Sequence, residues 1–566
     1  MQQREVSVFW TFFVLLALQF LFGGAHAILR IPAPLPDLYE ASITELQDGL
    51  NQGHFTSVDL VKAYFSRIEE VNLQGPTLRA VIELNPSALK QAAELDIERQ
   101  TLGPRGPLHG IPILLKDNIA THVSDGMNTT AGSFALLGSV PPRDATVVAK
   151  LRAAGAISLG KANLCEWAHS RGNLPSGFSG RGGQSTSPYF PLADPLGSSS
   201  GSGIASAIGL ATATLGTETD GSIILPSSRQ NLVGIKPTVG LTSRAGVIPI
   251  SENQDTVGPM TRSVADAAII LTIIAGRDPL DNHTLASPAR VPDFTKALKK
   301  DALKGVRLGV PRRFLSGDPN IDKAFDASLV TLKELGAIIV DPAEFPDADE
   351  LLASRNETVV LKADLKFDVQ KYIAGLLEVP TGVKTLTDLI AFNIAHASEE
   401  LVPPYWTSQS QFIAAENSTR DAAYFAALAA DHDLGRARGI DATLAIFNLD
   451  AIILPADGFT STPAAIAGYP IITVPLGFQP DNVKATSPRP TISNAPGLPF
   501  GLSFLGTAFS EFKLVGYAFA YEQATHTRLK RSAFPAAIPK TQLTDVMKEV
   551  RFVGPHSEGL LVLPMA

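Results

Sequence analysis

Residues 197–222 read GSSSGSGIASAIGLATATLGTETDGS, and two glycine-flanked serine turns stand on either side of a run of small apolar residues. In the second turn, Gly221 favours a tight bend that directs consecutive backbone N–H groups at one point. Donors arranged in this way stabilise the negative oxygen that develops when a carbonyl carbon is attacked. We therefore predict an oxyanion hole formed by the backbone of Thr219, Asp220, Gly221 and Ser222.

A lysine lies upstream, at the end of an apolar segment: residues 110–118 read GIPILLKDN, and Lys116 follows three apolar residues. A solvated lysine has a pKa near 10.4 and is almost wholly protonated at neutral pH. Burial among Ile113, Leu114 and Leu115 favours the neutral amine, which is a base. The ten histidines form no recognisable catalytic motif, so Lys116 is the candidate base. The alternative for these segments is a surface lysine and a flexible serine linker.

These segments and several others together resemble the amidase signature family. The resemblance extends over roughly residues 40 to 530. The motifs GSSSGS and GTETDGSI are most similar to those of peptide-amidase-like members. The further matching motifs are KDNI at 116–119, TTAGS at 129–133, GKANLCEWA at 160–168, GIKPTVGLTSR at 234–244, DTVGPMTRS at 255–263 and AGYPIITVPLG at 467–477.

The resemblance implies an amide hydrolase with a Ser-Ser-Lys triad that needs no histidine, metal or other cofactor. Ser222 stands at the family's nucleophile position, and Ser198, 24 residues earlier, at that of the bridging serine. Lys116 stands at the position of the base. In the family a cis peptide bond precedes the bridging serine, and Gly197 is compatible with it. The implied fold is α/β, with a mixed central β-sheet covered by helices on both faces.

The hydrophobic pattern independently favours an α/β fold, because short apolar runs alternate with helical periodicity. Residues 350 to about 440 are mainly helical in pattern, and the resemblance makes them the region that shapes the substrate cavity. The expected strands lie at 111–115, 157–159, 247–250, 306–310, 337–340, 451–454, 471–474 and near 502, and the expected helices include 145–154, 264–275 and 325–335.

The ends of the chain divide it into three parts. Arg4, an apolar run at 8–22 and Ala25-His26-Ala27 are typical of a signal peptide, so we predict a signal peptide at 1–27, an amidase domain at 28–533 and a C-terminal tail at 534–566. Because the apolar run is shorter than the roughly 20 residues that span a bilayer, we expect cleavage and no stable membrane anchor. The protein is then secreted.

A secretory route fits four Asn-X-Ser/Thr sequons, at Asn128, Asn282, Asn356 and Asn417, so a glycoprotein is expected. Cys165 is the only cysteine, which excludes an internal disulfide. We interpret it as a buried structural thiol rather than as a nucleophile.

Composition limits the partners. Lys and Arg number 47 against 55 Asp and Glu, a net charge of −8, and no long basic run could follow a phosphate backbone. We expect a small-molecule or peptide amide as substrate and no nucleic acid. The chain contains no HExxH or other close metal-ligand pair, so no metal is expected. Nothing in the sequence determines the oligomeric state.

Leu225 is a candidate substrate-binding residue. In the family, some members that take carboxylated substrates carry arginine three residues after the nucleophile, where this chain has Leu225. Leucine cannot pair with a carboxylate, and an unpaired buried charge is costly. We therefore expect an uncharged, partly apolar acyl group. The nearest cation in sequence is Arg229, whose direction the sequence does not give.

Two other functions remain open. Residues 197–201 also satisfy G-x-S-x-G, which makes Ser199 the nucleophile of a serine esterase of α/β-hydrolase type, with His526 as a candidate base. An inactive amidase-like binding protein is the second. Among the supporting residues, we expect an ion pair between Asp255 and Arg262 and a hydrogen bond from the Thr219 side chain to Ser198.

Overall fold

A computed structural model describes residues 35–550, with side chains as far as 547. The predicted signal peptide and the last part of the predicted tail lie outside the described residues. No helix in the described part of the chain is both long enough and apolar enough to cross a bilayer.

Eleven strands form one mixed sheet, and two further strands form a small hairpin. The sheet order is β1-β3-β2-β6-β8-β7-β12-β13-β11-β9-β10. β3, β2 and β6 run parallel, as do β11, β9 and β10, while the central strands are antiparallel. The strands are β1 Val81–Leu84, β2 Pro112–Lys116, β3 Ile157–Ala162, β4 Phe178–Ser179, β5 Gly183–Gln184, β6 Ala213–Glu218, β7 Val233–Lys236, β8 Thr256–Thr261, β9 Arg307–Gly309, β10 Ile338–Val340, β11 Ala451–Pro455, β12 Ile471–Phe478 and β13 Pro499–Leu505.

Helices cover this sheet, which confirms the predicted α/β fold. A capping box opens the first helix: the Ser42 side chain accepts from the Glu45 N–H, and the Glu45 carboxylate accepts from the Ser42 N–H. The helices are α1 Ile43–Asn51, α2 Ser57–Val71, α3 Ala88–Leu102, α4 Thr146–Ala153, α5 Ser200–Ala207, α6 Ile224–Arg229, α7 Val264–Ile274, α8 Pro319–Glu334, α9 Ala348–Ala353, α10 Asn356–Ala374, α11 Leu386–Ala395, α12 Ala397–Glu400, α13 Ser410–Glu416, α14 Ala422–His432, α15 Asp441–Ile446, α16 Thr462–Ala467, α17 Glu511–Thr525 and α18 Leu543–Val550.

One expected strand is wrong. Residues 247–250 form only an isolated bridge between Val247 and Ile119. Conversely, β6 is a strand that the sequence pattern does not predict. Its sequence ATLGTE is a run of small and polar residues, although all six residues are buried in the middle of the sheet. Buried strands of this kind carry no alternation of apolar and polar residues to reveal them.

The region from α9 to α14 is helical, as expected. The first part of the predicted tail, residues 534–547, packs on the domain next to α2. There the fully buried Arg67 donates to the carbonyls of Gly209, Pro539 and Thr541. These contacts join an early helix, a central loop and the tail.

Candidate active site

The sheet brings the two predicted catalytic segments to one edge. Lys116 is the last residue of β2, and Ser222 follows the end of the neighbouring strand β6. The two strands are parallel, with Leu115 opposite Leu215, so their carboxyl ends meet at the same side of the sheet. Ser198 precedes α5, which packs on β6.

Lys116 is fully buried, as its apolar flank predicts. Its Nζ lies 2.8 Å from the Ser198 Oγ, 2.8 Å from the Thr217 Oγ1 and 3.1 Å from the Thr217 carbonyl oxygen. Burial lowers the pKa of Lys116 to about 7, although the negative charges of Cys165 and Asp255 oppose that shift. A large share of the molecules therefore carries a neutral amine at this position at neutral pH.

The loop that carries Ser198 is held by its backbone. The Gly197–Ser198 peptide bond is cis, as the resemblance implies. The Cys165 N–H donates to the Ser198 carbonyl at 3.0 Å, and the Cys165 Sγ accepts from the Gly177 N–H at 3.0 Å. Since the thiol is 1% exposed and occupied in this way, its position is that of a structural cysteine.

The turn from Thr219 to Ser222 is shaped by a glycine and by a buried carboxylate. Gly221 has φ +76°, and a Cβ at this position would lie 2.7 Å from the Leu225 side chain, so the turn requires glycine. The Glu218 Oε2 accepts from the N–H groups of Ile223 and Ile224, at 2.6 and 2.9 Å. These bonds fix the backbone on the far side of Ser222.

The backbone donors of the same turn remain available. Within the described part of the chain, the N–H groups of residues 219–222 have no hydrogen-bond acceptor, whereas the N–H groups of Ile223 and Ile224 are used. Unused donors beside a cavity suit a developing oxyanion. The turn for which an oxyanion hole is predicted therefore has unused backbone donors.

A cavity of about 450 Å³ lies over this turn. Ser198 and Ser222 both line it, as do Thr219, Asp220 and the predicted substrate-binding residue Leu225. Lys116 lies behind Ser198, outside the lining. Another cavity, of about 500 Å³, lies beside Arg244 and Tyr372 and contains none of the predicted catalytic side chains, so we assign the site to the first. Its remaining lining includes Ile250, Thr358, Leu361, Lys362, Leu365 and His169.

Ser199 does not have the environment of an esterase nucleophile. Its side chain is fully buried, and its hydroxyl donates to the Thr217 carbonyl at 3.1 Å. The residues before it form no strand, although a nucleophile elbow requires one. His526 lines a different cavity, beside Arg528. The structure thus separates the two residues that the esterase alternative needs together.

Two expected contacts are wrong. The Thr219 hydroxyl donates to the Asp255 carboxylate at 2.6 Å rather than to Ser198. Asp255 also accepts from backbone N–H groups and makes no ion pair with Arg262, whose guanidinium donates to the carbonyls of Ser206 and Thr212. Asp255 and Arg262 thus both form hydrogen bonds with backbone groups. The spacing of residues in the sequence does not show which backbone groups need such partners.

Leu225 and Arg229 point to different places. Leu225 lines the cavity, but Arg229 does not, and its Nη1 donates to the Ser493 carbonyl at 3.0 Å. Arg229 therefore supplies no cation to the site.

Two residues beside the site were missed. Thr217 contacts Lys116 with both its hydroxyl and its carbonyl, and Glu218 holds the backbone after Ser222. Both belong to the GTETDGS segment. The only indication in the sequence is that polar residues, Thr217 and Glu218, occur in a segment of small residues. Their spacing does not distinguish their roles.

The sequons and possible metal ligands add two observations. Asn282 and Asn417 are exposed, whereas Asn128 is half-buried and donates to the Glu83 carboxylate at 3.0 Å.

Across the described residues, no three His, Cys, Asp or Glu side chains are grouped to hold a metal ion.

Comparison with known proteins identifies the family. The model of the Amidase family matches residues 59–459. A putative amidase of Arthroderma benhamiae is 43% identical over 546 residues, which are 91% of each chain. A probable amidase of Arabidopsis thaliana is 42% identical and covers 89% of this chain and 94% of its own. The crystal structure of native peptide amidase from Stenotrophomonas maltophilia superposes with a TM-score of 0.80 at 43% identity, over 90% of this chain and all of that one. The chain therefore belongs to the Amidase family of hydrolases that act on amides.

Proposed function

We propose that this protein is a secreted amidase that converts a carboxylic amide to the acid and ammonia or an amine. One observation carries the proposal: the buried Lys116, whose pKa is lowered to about 7 by burial, lies 2.8 Å from the Ser198 hydroxyl, and Ser198 shares a cavity wall with Ser222. A neutral amine, a relay hydroxyl and a nucleophile are the groups that such chemistry needs.

The reaction runs in two halves. Ser222 Oγ attacks the amide carbon as its proton passes to Ser198 Oγ, and the Ser198 proton passes to the Lys116 Nζ. The free N–H groups of residues 219–222 stabilise the oxyanion. Lys116 returns the proton through Ser198 to the departing nitrogen, which leaves an acyl-Ser222 ester. Water then attacks the ester as its proton passes through Ser198 to Lys116, and the proton returns to the Ser222 Oγ as the acid leaves.

The substrate we propose is a peptide C-terminal amide or a simple aliphatic or aryl amide. Support comes from the relationship to a peptide amidase and from the apolar lining by Leu225, Ile250 and Leu361. With Arg229 directed to Ser493, no arginine of the described residues lines the cavity beside Leu225 to receive a carboxylate.

Labelling tests the nucleophile. A fluorophosphonate is expected to modify Ser222, and Ser222→Ala is expected to abolish hydrolysis of primary amides and peptide amides without a change in the unfolding midpoint. Ser199→Ala is the matched control and is expected to keep its label. A label mapped to Ser199 would favour the esterase, and no turnover across amides and esters would favour the inactive binding protein.

Substrate charge is tested with malonamate and a neutral amide of similar size. We expect a higher kcat/KM for the neutral amide, because Leu225 cannot pair with a carboxylate and Arg229 is directed to Ser493. A clear preference for malonamate contradicts this part of the proposal.

Secretion rests on the sequence of the first 27 residues and is tested separately. The protein collected from the medium of a eukaryotic host is expected to begin at Ile28 and to lose mass on treatment with an N-glycosidase. Retention in the cell with residue 1 intact contradicts it.

A further inference from the structure

Helix α10 forms one wall of the cavity over the nucleophile turn. Four of its residues line that cavity: Thr358, Leu361, Lys362 and Leu365. Their spacing of three and four positions places them on one face of the helix. This wall is therefore apolar apart from one hydroxyl and one amine, and Lys362 is its only cation.

The start of α10 is held beside the nucleophile turn. The Gln254 Nε2 donates to the Glu357 Oε1 at 2.8 Å and lies 3.4 Å from the Thr219 carbonyl oxygen. At a rise of 1.5 Å per residue, the Cα of Lys362 is about 6 Å further along the helix axis than that of Thr358. Lys362 therefore stands on the same wall, one helical turn beyond the residues beside the nucleophile turn.

Lys362 has no counter-charge within the protein. It is half-buried, and within residues 35–547 its amine forms neither an ion pair nor a hydrogen bond, whereas Lys366 on the next turn pairs with Glu416 at 3.5 Å. The residues three and four positions away from Lys362 on the helix include no acid: they are Thr358, Val359, Leu365 and Lys366. A partly dehydrated ammonium without a partner is unfavourable, so an anion in the cavity is favoured beside it.

The other two ionisable side chains of the cavity lining, Asp220 and His169, do not supply the missing charge. The Asp220 Oδ2 accepts from the Thr462 hydroxyl at 2.6 Å. Burial raises the pKa of Asp220, and the charge that opposes this shift is that of Lys236, not that of Lys362. His169 is either neutral or a cation. The unpaired charge at the cavity is therefore positive.

We propose that Lys362 binds a carboxylate of the amide substrate, one that is separated from the scissile bond. The proposal rests on the proposed function and narrows the substrate to peptide or acyl amides that carry an acidic group at a distance from the amide. The acyl group next to the scissile bond remains uncharged, because the Leu225 side chain lies against Gly221 in the nucleophile turn. Malonamate, whose carboxylate is one carbon from the amide, therefore remains a poor substrate.

The competing explanation is that only the hydrocarbon stem of Lys362 matters. A lysine stem can cover an apolar wall while its ammonium stays in solvent. Methionine keeps an unbranched apolar stem and removes the charge, and arginine keeps both. Substitution of Lys362 by these two residues therefore separates binding of a carboxylate from packing against the wall.

The experiment compares acetylated alanine tripeptide amides in which one residue is replaced by glutamate or by its neutral isostere glutamine, at each of the three positions in turn. At one position we expect the kcat/KM for glutamate to exceed that for glutamine by about fivefold, a modest factor because solvent weakens a half-exposed pair. An N-succinyl group in place of the acetyl group puts the carboxylate at the far end of the peptide. A preference for succinyl over acetyl alone also supports the subsite and places the carboxylate at that end.

Lys362→Met is expected to bring the ratio of the charged to the neutral substrate close to one, and Lys362→Arg is expected to keep the preference. Lys362→Glu should favour lysine over glutamine at the same position. The matched control is Lys366→Met, which removes a half-buried lysine of the same helix that already has Glu416 as its partner, and it is expected to keep the preference. Because both substrates are measured on one preparation, a fraction of unfolded protein cancels in the ratio.

Calorimetric binding of the same peptides to Ser222→Ala separates the subsite from the chemistry. A fivefold preference in Kd that is lost when Lys362→Met is added supports the subsite even if no peptide amide is hydrolysed, in which case only the proposed function fails. Equal binding of charged and neutral peptides at all three positions and at the N-terminal group overturns the subsite. A preference that survives Lys362→Met also overturns it.

Discussion

Two lysines on neighbouring strands show what distinguishes a candidate catalyst from a structural residue. Lys116 ends β2 and Lys161 lies near the end of β3, and both are fully buried. Burial lowers the pKa of the first to about 7 and of the second to about 8. Lys161 donates to the Ile119 carbonyl and the Thr129 hydroxyl, whereas Lys116 reaches Ser198 at the cavity. Burial favours the neutral amine in both, but only Lys116 contacts a hydroxyl, that of Ser198, that lines the cavity together with Ser222.

The largest effect is expected from replacing each lysine in turn. Lys116→Met should lower kcat/KM for amides by about 10³-fold or more, since it removes the base and the acid for the leaving amine. Lys161→Met should lower it by less than tenfold in the protein that remains folded. Steady-state kinetics on a primary amide measures both.

An activated ester sharpens the same comparison. Its leaving group needs little protonation, so the loss in Lys116→Met should be smaller for the ester than for the amide. Equal losses on both substrates contradict the acid role of Lys116.

The pH profile is expected to report the Lys116 pKa. Because the neutral amine is the active form and its pKa is lowered to about 7, kcat/KM should rise about tenfold per pH unit well below pH 7 and level off above it. The full profile on a neutral amide, whose own charge does not change, measures this. A rise centred near pH 10 would mean that Lys116 behaves like a solvated lysine.

The loss in the free energy of unfolding should be larger for Lys161→Met than for Lys116→Met, the reverse of the order expected for activity. Lys161→Met leaves the Ile119 carbonyl without a donor and the Thr129 hydroxyl with only the Thr121 N–H, at 3.4 Å, which costs about 1–3 kcal/mol. Lys116→Met should cost less, because Thr217 keeps Ser199 and Asn118 as donors and the Ser198 hydroxyl borders a cavity that solvent can enter. Urea unfolding of the two variants compares them, and a larger loss for Lys116→Met contradicts the structural role of Lys161.

The smallest effect concerns the charge beside Lys116. Burial dominates the lowered pKa of Lys116, and the charge of Cys165 is the largest influence that opposes it. Cys165→Ser replaces the ionisable thiol with a hydroxyl that does not titrate in this range, so the rise of kcat/KM should move to lower pH, by less than about one unit. The buried serine can still accept from Gly177. A shift to higher pH contradicts the electrostatic account.

The sequence predicted the α/β fold, and it singled out three side chains that the structure brings to one place, for different reasons. Lys116 stands out because an apolar flank precedes it, and Ser198 and Ser222 because glycines flank them. Strands such as β11 and β12 stand out as apolar runs. In each case a local pattern carries the information.

What the sequence could not predict depends on contacts between distant segments. The Thr219 hydroxyl binds Asp255, 36 positions away, and Arg262 binds carbonyls rather than a carboxylate. Thr217 contacts Lys116 only because β2 and β6 are neighbouring strands of the sheet. Hydrogen bonds to backbone groups of this kind have no signature in residue type.

The buried Arg67 also constrains the order in which the polypeptide acquires its structure. Its Nη1 donates to the carbonyls of Pro539 and Thr541, which are 472 and 474 positions further along. Until those residues leave the ribosome, the guanidinium lacks two of its hydrogen-bond acceptors. A buried donor without an acceptor is unfavourable. The N-terminal helices therefore complete their packing only after residues 539–541 have been synthesised. A nascent chain halted at residue 533 is expected to be protease-sensitive around α2, and one extended past residue 547 is expected to be resistant.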